Sequence, residues 1–191
     1  MKKFNLQIFA GGRSALIRNM IGDYLEVSGK MELCGIGFTK LNESPGAQSD
    51  STTYINETTS SSDIIGYETE FPYEVDAIPS QKALFTLRLD GRDHHTGDNA
   101  QHTFVKVDLF NPIGTPSETA AEYKARKFTV SNEVSEFAGD GGQKITASGT
   151  LHAVGDPIQG KFDTVSMKFT EGEFKGKYDL ELEAAAGDTT E

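Results

Sequence analysis

Residues 64–78 read IIGYETEFPYEVDAI, and the stretch keeps a two-residue period. Ile65, Tyr67, Phe71, Tyr73 and Val75 fall on one parity, while Glu68, Glu70, Glu74 and Asp76 fall on the other. Successive side chains of a strand point to opposite faces, so the pattern predicts a strand over 64–76 with an apolar wall and a wall of carboxylates. The apolar wall can supply one side of a core. Four like charges on the other wall repel one another and add nothing to it.

Working outward, the same kind of signal recurs. MELCGIGFT (31–39) and HTFVKVDLF (102–110) read as strands, the second ended by Asn111-Pro112. EYKARKFTVSNEVSEF (122–137) is long enough for one bent strand. Its apolar parity changes near Lys127, which predicts a bulge there. ITASGTLHAV (145–154) and KFDTVSMKFT (161–170) follow, separated by the turn GDPIQG. PSQKALFTLRLDG (79–91) predicts a helix, with Pro79 at its start, Ser80 able to cap and Gly91 as its stop. Strands at regular spacing with a single helix predict a mainly β chain: an antiparallel β-sandwich or barrel with one flanking α-helix.

Two segments flank the β domain (31–170), and a long loop lies within it. Residues 1–30 read as an N-terminal arm punctuated by Gly11, Gly12, Gly22 and Gly29, in which RSALIRNMIGDYL could form a short amphipathic turn or helix on docking. Residues 41–63 form a long loop of Ser, Thr, Asn, Asp and Glu, with Tyr54 and Ile55 in its middle, which suggests that the loop docks onto something. Residues 171–191 carry seven acids against two lysines and predict one strand around Tyr178, Leu180 and Leu182 before fraying.

Composition narrows the function. A net charge of −11 and an isoelectric point of about 4.8 argue against nucleic-acid binding and against an anionic membrane surface. The single cysteine, Cys34, cannot form an internal disulfide and reads as a buried structural thiol. MKKFNLQIFAGG has the lysines of a signal peptide, but its apolar run is broken by Asn5 and Gln7. No run approaches the roughly 20 apolar residues of a membrane span. The expectation is a soluble, cytoplasmic chain with no membrane partner.

Little points to catalysis. DGRDHHTGD gathers Asp90, Asp93, His94, His95 and Asp98, and Asp93, His94 and His95 are a weak candidate for a divalent cation. Adjacent histidines on a loop rarely both reach one metal, so a solvated helix-exit turn is the preferred reading. His102 and His152 stand alone on strands. AGDGGQK lacks the spacing of a phosphate-binding loop and lies where a hairpin needs glycine. The acids of 64–78 sit about 6.6 Å apart along one strand face, which suits mutual solvation better than a glycosidase pair. No catalytic residue, metal or other cofactor is expected.

Three passages carry a resemblance: GFTKLNESPGAQSDSTTYINETTSSSDIIGYETEFPYEVDAI (37–78), FVKVDLFNP (104–112) and KFTVSNEVSEFAGDGGQKITASGTLHAVGDPIQGKF (127–162). In this order and spacing the chain resembles the major tail tube proteins of tailed bacteriophages of Gram-positive hosts, whose architecture is shared by contractile-tail and type VI secretion tubes. The resemblance implies hexameric rings stacked into a hollow tube that conducts DNA. It implies partners in further copies of the chain and in tape measure, tail terminator and distal tail proteins. The location implied is the virion tail, assembled in the host bacterial cytoplasm. The long loop and the arm would bridge to neighbouring subunits, giving Arg13, Leu16, Ile17, Tyr54 and Ile55 as candidate contacts. Glu68, Glu70, Glu74 and Asp76 would face the lumen, where DNA passes without specific binding. The alternative is a monomeric β-sandwich that binds sugar or another protein, although the absence of Trp counts against it. An enzyme built on the Asp93, His94, His95 loop ranks third.

Overall fold

The computed structural model describes residues 15–187. After a 3-10 turn at Arg18–Met20, the strands are β1 (Ile21–Val27), β2 (Lys30–Leu33), β3 (Phe38–Leu41), β4 (Ala47–Thr52), β5 (Ser61–Tyr67) and β6 (Glu70–Asp76). Helix α1 (Lys82–Asp93) precedes β7 (Gln101–Pro112), β8 (Glu122–Ala138), β9 (Thr146–Ala153), β10 (Ile158–Asp163) and β11 (Lys168–Glu171), and α2 (Lys177–Gly187) follows. The chain is mainly β, and its main sheet curls into an antiparallel half-barrel in the order β2-β1-β7-β8-β9-β6-β3. β8 branches that sheet, because its first half pairs with β10 and its second half with β9.

This branching places a core on each face. Leu25, Phe71, Tyr73, Val75, Phe104, Phe128 and Val130 pack under α1, which contributes Ala83, Leu84 and Leu87. The rings of Phe71, Phe104 and Phe128 meet at centroid distances of 4.9, 5.0 and 6.5 Å. Each fully buried phenyl ring contributes about 1.5–3 kcal/mol through removal from water. Tyr24, Val105, Val107, Tyr123, Ala125 and Phe162 form the second core on the opposite face.

The two cores explain the parity change on β8, and no bulge is needed there. The β7–β8 register runs without interruption from Gln101↔Ser131 to Val107↔Ala125. Tyr123 and Ala125 serve one face and Phe128 and Val130 the other. The irregularities lie to either side, between Val107 and Pro112 of β7 and between Val134 and Glu136 against β9.

Other expectations give way for local reasons. Residues 31–39 divide into β2 and β3, because Gly37 takes φ +92° and turns the chain. The 64–76 strand divides at residues 68–69 into β5 and β6. Only Phe71, Tyr73 and Val75 reach the core, while Ile65 and Tyr67 stay exposed. The supposed arm yields β1, an internal strand paired with both β2 and β7. KFDTVSMKFT is the β10–β11 hairpin with a turn between the strands. Helix α1 begins at Lys82 and passes through Gly91 to close on His94 in the left-handed conformation, and no side chain caps its start. Gly91 is there for clearance: a Cβ on it would lie 2.6 Å from Val134 Cβ. The 171–191 segment contains α2 where a strand was expected, as its Leu, Glu and Ala content favours.

Candidate assembly surfaces

The 41–63 connection is not a structureless loop. Residues 47–52 and 61–63 of it build β4 and the start of β5, which form a two-stranded hairpin separate from the main sheet. β4 is exposed along its length, and β5 leaves Ile64, Ile65 and Tyr67 in water. Tyr54 and Ile55 sit in the turn joining the strands, Ile55 fully exposed. At the root, Ser44 and Glu70 exchange backbone bonds of 2.8 Å, and Glu68 N–H donates to Gly46 O at 3.0 Å. Gly46 takes φ +60°, and a Cβ there would stand 2.2 Å from Glu68 O, so the base of the arm admits only glycine. A two-stranded ribbon without a core is marginal in water. Apolar side chains along such a ribbon are chemically suited to meeting another surface.

The acidic wall is more compensated than the sequence suggests. Glu70, Glu74 and Asp76 lie on the face of β6 turned away from Phe71, Tyr73 and Val75. Lys40 Nζ pairs with Glu74 at 2.9 Å and Lys144 Nζ with Asp76 at 2.7 Å. His152 lies between Glu70, 3.3 Å from Nδ1, and Glu133, 3.0 Å from Nε2. Glu68 stands apart in the link to β5 and accepts from Gln48 Nε2 at 3.1 Å. The cross-strand partners of Glu74 and Asp76 on β9 are Ser148 and Thr146, short polar side chains that keep this face open. Leu16 and Ile17 are exposed ahead of the 3-10 turn, and Arg13 lies outside the described residues.

The histidine loop does not converge as a metal site. Asp93 is held by Arg92 through bonds of 2.7 and 3.0 Å, and His94 closes the helix. Only His95 turns inward, with Nδ1 3.0 Å from Asp90 Oδ1. Among the described residues no group of three or more His, Cys, Asp or Glu is arranged to hold a metal ion. The buried centre is Asp90. Its Oδ2 lies 2.6 Å from His102 Nε2 and accepts from Asn132 Nδ2 at 2.8 Å. Asn132 also donates to Leu87 O at 2.9 Å and accepts from Tyr73 Oη at 2.8 Å. Burial pushes the Asp90 carboxyl up, but hydrogen bonds from His102, Asn132 and His95 outweigh it and hold the group below the ordinary value. The ionised carboxylate only accepts, so both imidazoles donate to it.

A second polar ladder went unread in the sequence. Asp23, Lys106 and Arg126 are cross-strand neighbours on β1, β7 and β8. Lys106 Nζ pairs with Asp23 Oδ1 at 3.1 Å, Arg18 reaches the other oxygen of Asp23, and Arg126 grips Glu43 through bonds of 2.7 and 3.0 Å. Lys106 is only 4% exposed, and the lysine inside the apolar FVKV was the available signal. Cys34 is buried as expected, and its surroundings raise its pKa by desolvation.

No protein-family model matches the chain, and no curated protein matches it in sequence. Among solved structures, a chain from the tail of an empty GTA particle, obtained by helical refinement with C6 symmetry, is similar to it in fold. The TM-score is 0.54 at 11% identity, covering 76% of this chain and 98% of that one. At that identity the likeness is one of fold.

Proposed function

We propose that this chain is the repeating structural subunit of a phage-type tail tube, assembling into hexameric rings that stack around a DNA-conducting lumen. The observation that carries the proposal is the fold, which over 76% of this chain matches 98% of a chain from a C6-symmetric tail. Fold alone does not assign function. The β4–β5 arm adds support from this chain itself, since it projects without a core and presents Tyr54, Ile55, Ile64, Ile65 and Tyr67. In this reading the arm and the segment carrying Arg13, Leu16 and Ile17 contact neighbouring copies. Glu68, Glu70, Glu74 and Asp76 face the lumen, where like charge keeps passing DNA from adhering. Further partners would be the tape measure, tail terminator and distal tail proteins, met during assembly in the host cytoplasm, and the role is structural and not enzymatic.

Negative-stain electron microscopy of the purified chain across a concentration series tests the reading. Six-fold rings or hollow tubes are expected. Compact monomers at every concentration, including samples seeded with preformed tail fragments, would overturn it in favour of a monomeric binding module.

A further inference from the structure

The last described helix is attached to the sheet in an unusual way. Helix α2 spans 11 residues, short of the roughly 12–15 that an isolated helix needs to persist in water. Its hold on the body therefore decides whether it forms. Tyr178, Leu180 and Leu182 are all exposed, and the aromatic contact with the sheet is Tyr178 against Phe110 at 6.0 Å between centroids.

The remaining attachment is polar and converges on the first turn. Asp179 accepts from Lys124 Nζ at 3.0 and 3.1 Å, from Asn111 Nδ2 at 3.2 Å and from Gly176 N–H at 2.9 Å. Asn111, itself 5% exposed on β7, accepts in turn from Tyr178 N–H at 3.0 Å. A Cβ on Gly176 would fall 2.2 Å from Asn111 Oδ1, so the chain rests directly on that amide. A carboxylate in a first helical turn also complements the helix dipole. Upstream, Gly172 takes φ +147°, and Phe174 lies under Lys161 Nζ at 4.8 Å. Two glycines therefore flank a single aromatic foothold.

We propose that α2 is a releasable latch, docked on the β7–β8 end of the sheet through Asp179 and freed as a unit when that carboxylate loses Lys124 and Asn111. Residues 172–176 act as its hinge, and release uncovers Asn111 and Lys124 on the sheet. The proposal is independent of the tube reading, since it concerns the single chain.

Hydrogen exchange on the full-length monomer, followed by mass spectrometry, tests it. Amides of residues 178–184 should exchange at least tenfold faster in Asp179→Asn than in the unmodified chain, with β7 and β8 unchanged. Raising sodium chloride to about 1 M should speed the same amides in the unmodified chain, because salt screens a partly exposed pair. Unaltered protection of 178–184 in Asp179→Asn would overturn the latch by showing that apolar contact holds the helix. Loss of protection spreading into β7 and β8 would overturn it equally, making α2 part of the cooperative core. Lys124→Gln provides a second variant that removes the charge pair from the sheet side, and it must reproduce the effect in direction.

Discussion

Asp90 on α1 and His102 on β7 share a 2.6 Å hydrogen bond around a carboxylate that is almost wholly buried. With His95 and Asn132 completing the shell, three donors reach one acid from the helix exit and from two strands. Asp90→Ala leaves Asn132 and the His102 imidazole without this acceptor in the interior, and removes the partner of the more exposed His95. The expected loss is about 2–4 kcal/mol, read from urea unfolding at neutral pH. Asp90→Asn should cost less, since an amide can still accept one of these bonds.

The same carboxyl sets an acid limb of stability. Its folded value lies below that of the unfolded chain, so its contribution is complete above the unfolded value of about 3.9 and is lost as pH falls through the folded value. Unfolding midpoints measured between about pH 3 and 7 should fall on the acid side in the unmodified chain and fall less steeply in Asp90→Asn. Identical slopes would assign the acid sensitivity to other carboxylates.

Gly91 and Val134 make a closer test of packing. A Cβ at residue 91 would meet Val134 Cβ at 2.6 Å, and the rest of that side chain within 2.9 Å. Gly91→Ala should therefore destabilise by about 1–3 kcal/mol despite the better helix propensity of alanine. Val134→Ala should recover much of the loss in the double variant, and the coupling energy of the cycle measures the contact.

These contacts show where sequence reading succeeds and where it stops. Phe71, Tyr73, Val75, Phe104, Phe128 and Val130 were legible because alternation reports the pleat and a core covers that pleat. Ile65 and Tyr67 continue the parity of Phe71, yet they belong to the projecting arm. Periodicity does not say whether anything lies over a face. Tyr178, Leu180 and Leu182 mimic a strand inside a helix for the same reason. Asp90 meets His102 and Asn132 from 12 and 42 residues away, and no local pattern encodes such partners. Glu74 and Asp76 were readable as one face, but Lys40 and Lys144, which neutralise them, come from distant segments.

Tyr54 and Ile55 carry the prediction for assembly. Both are exposed in the turn of the β4–β5 hairpin, so replacing them with serine should change monomer stability by less than about 0.5 kcal/mol. Rings or tubes should fail to form at concentrations where the unmodified chain assembles, as followed by sedimentation velocity. Normal assembly of the double variant would move the contact elsewhere on the arm.

The acidic face gives a prediction for transport. Glu70 and Glu74 are exposed, and surface pairs such as Glu74–Lys40 contribute about 0–1 kcal/mol, so charge reversal here should spare the fold. Glu68 and Glu70 are the better choice, because among the described residues neither has a lysine or arginine partner that reversal would set against like charge. If this face lines the bore, Glu68→Lys with Glu70→Lys places new cations around every ring. They would stand within a Debye length, about 8 Å at physiological salt, of a duplex in transit. Tubes should form normally, and DNA ejection from particles built with the variant should slow several-fold, with the defect shrinking as salt rises. Ejection at the unmodified rate from well-formed tubes would place these carboxylates on the outer surface instead.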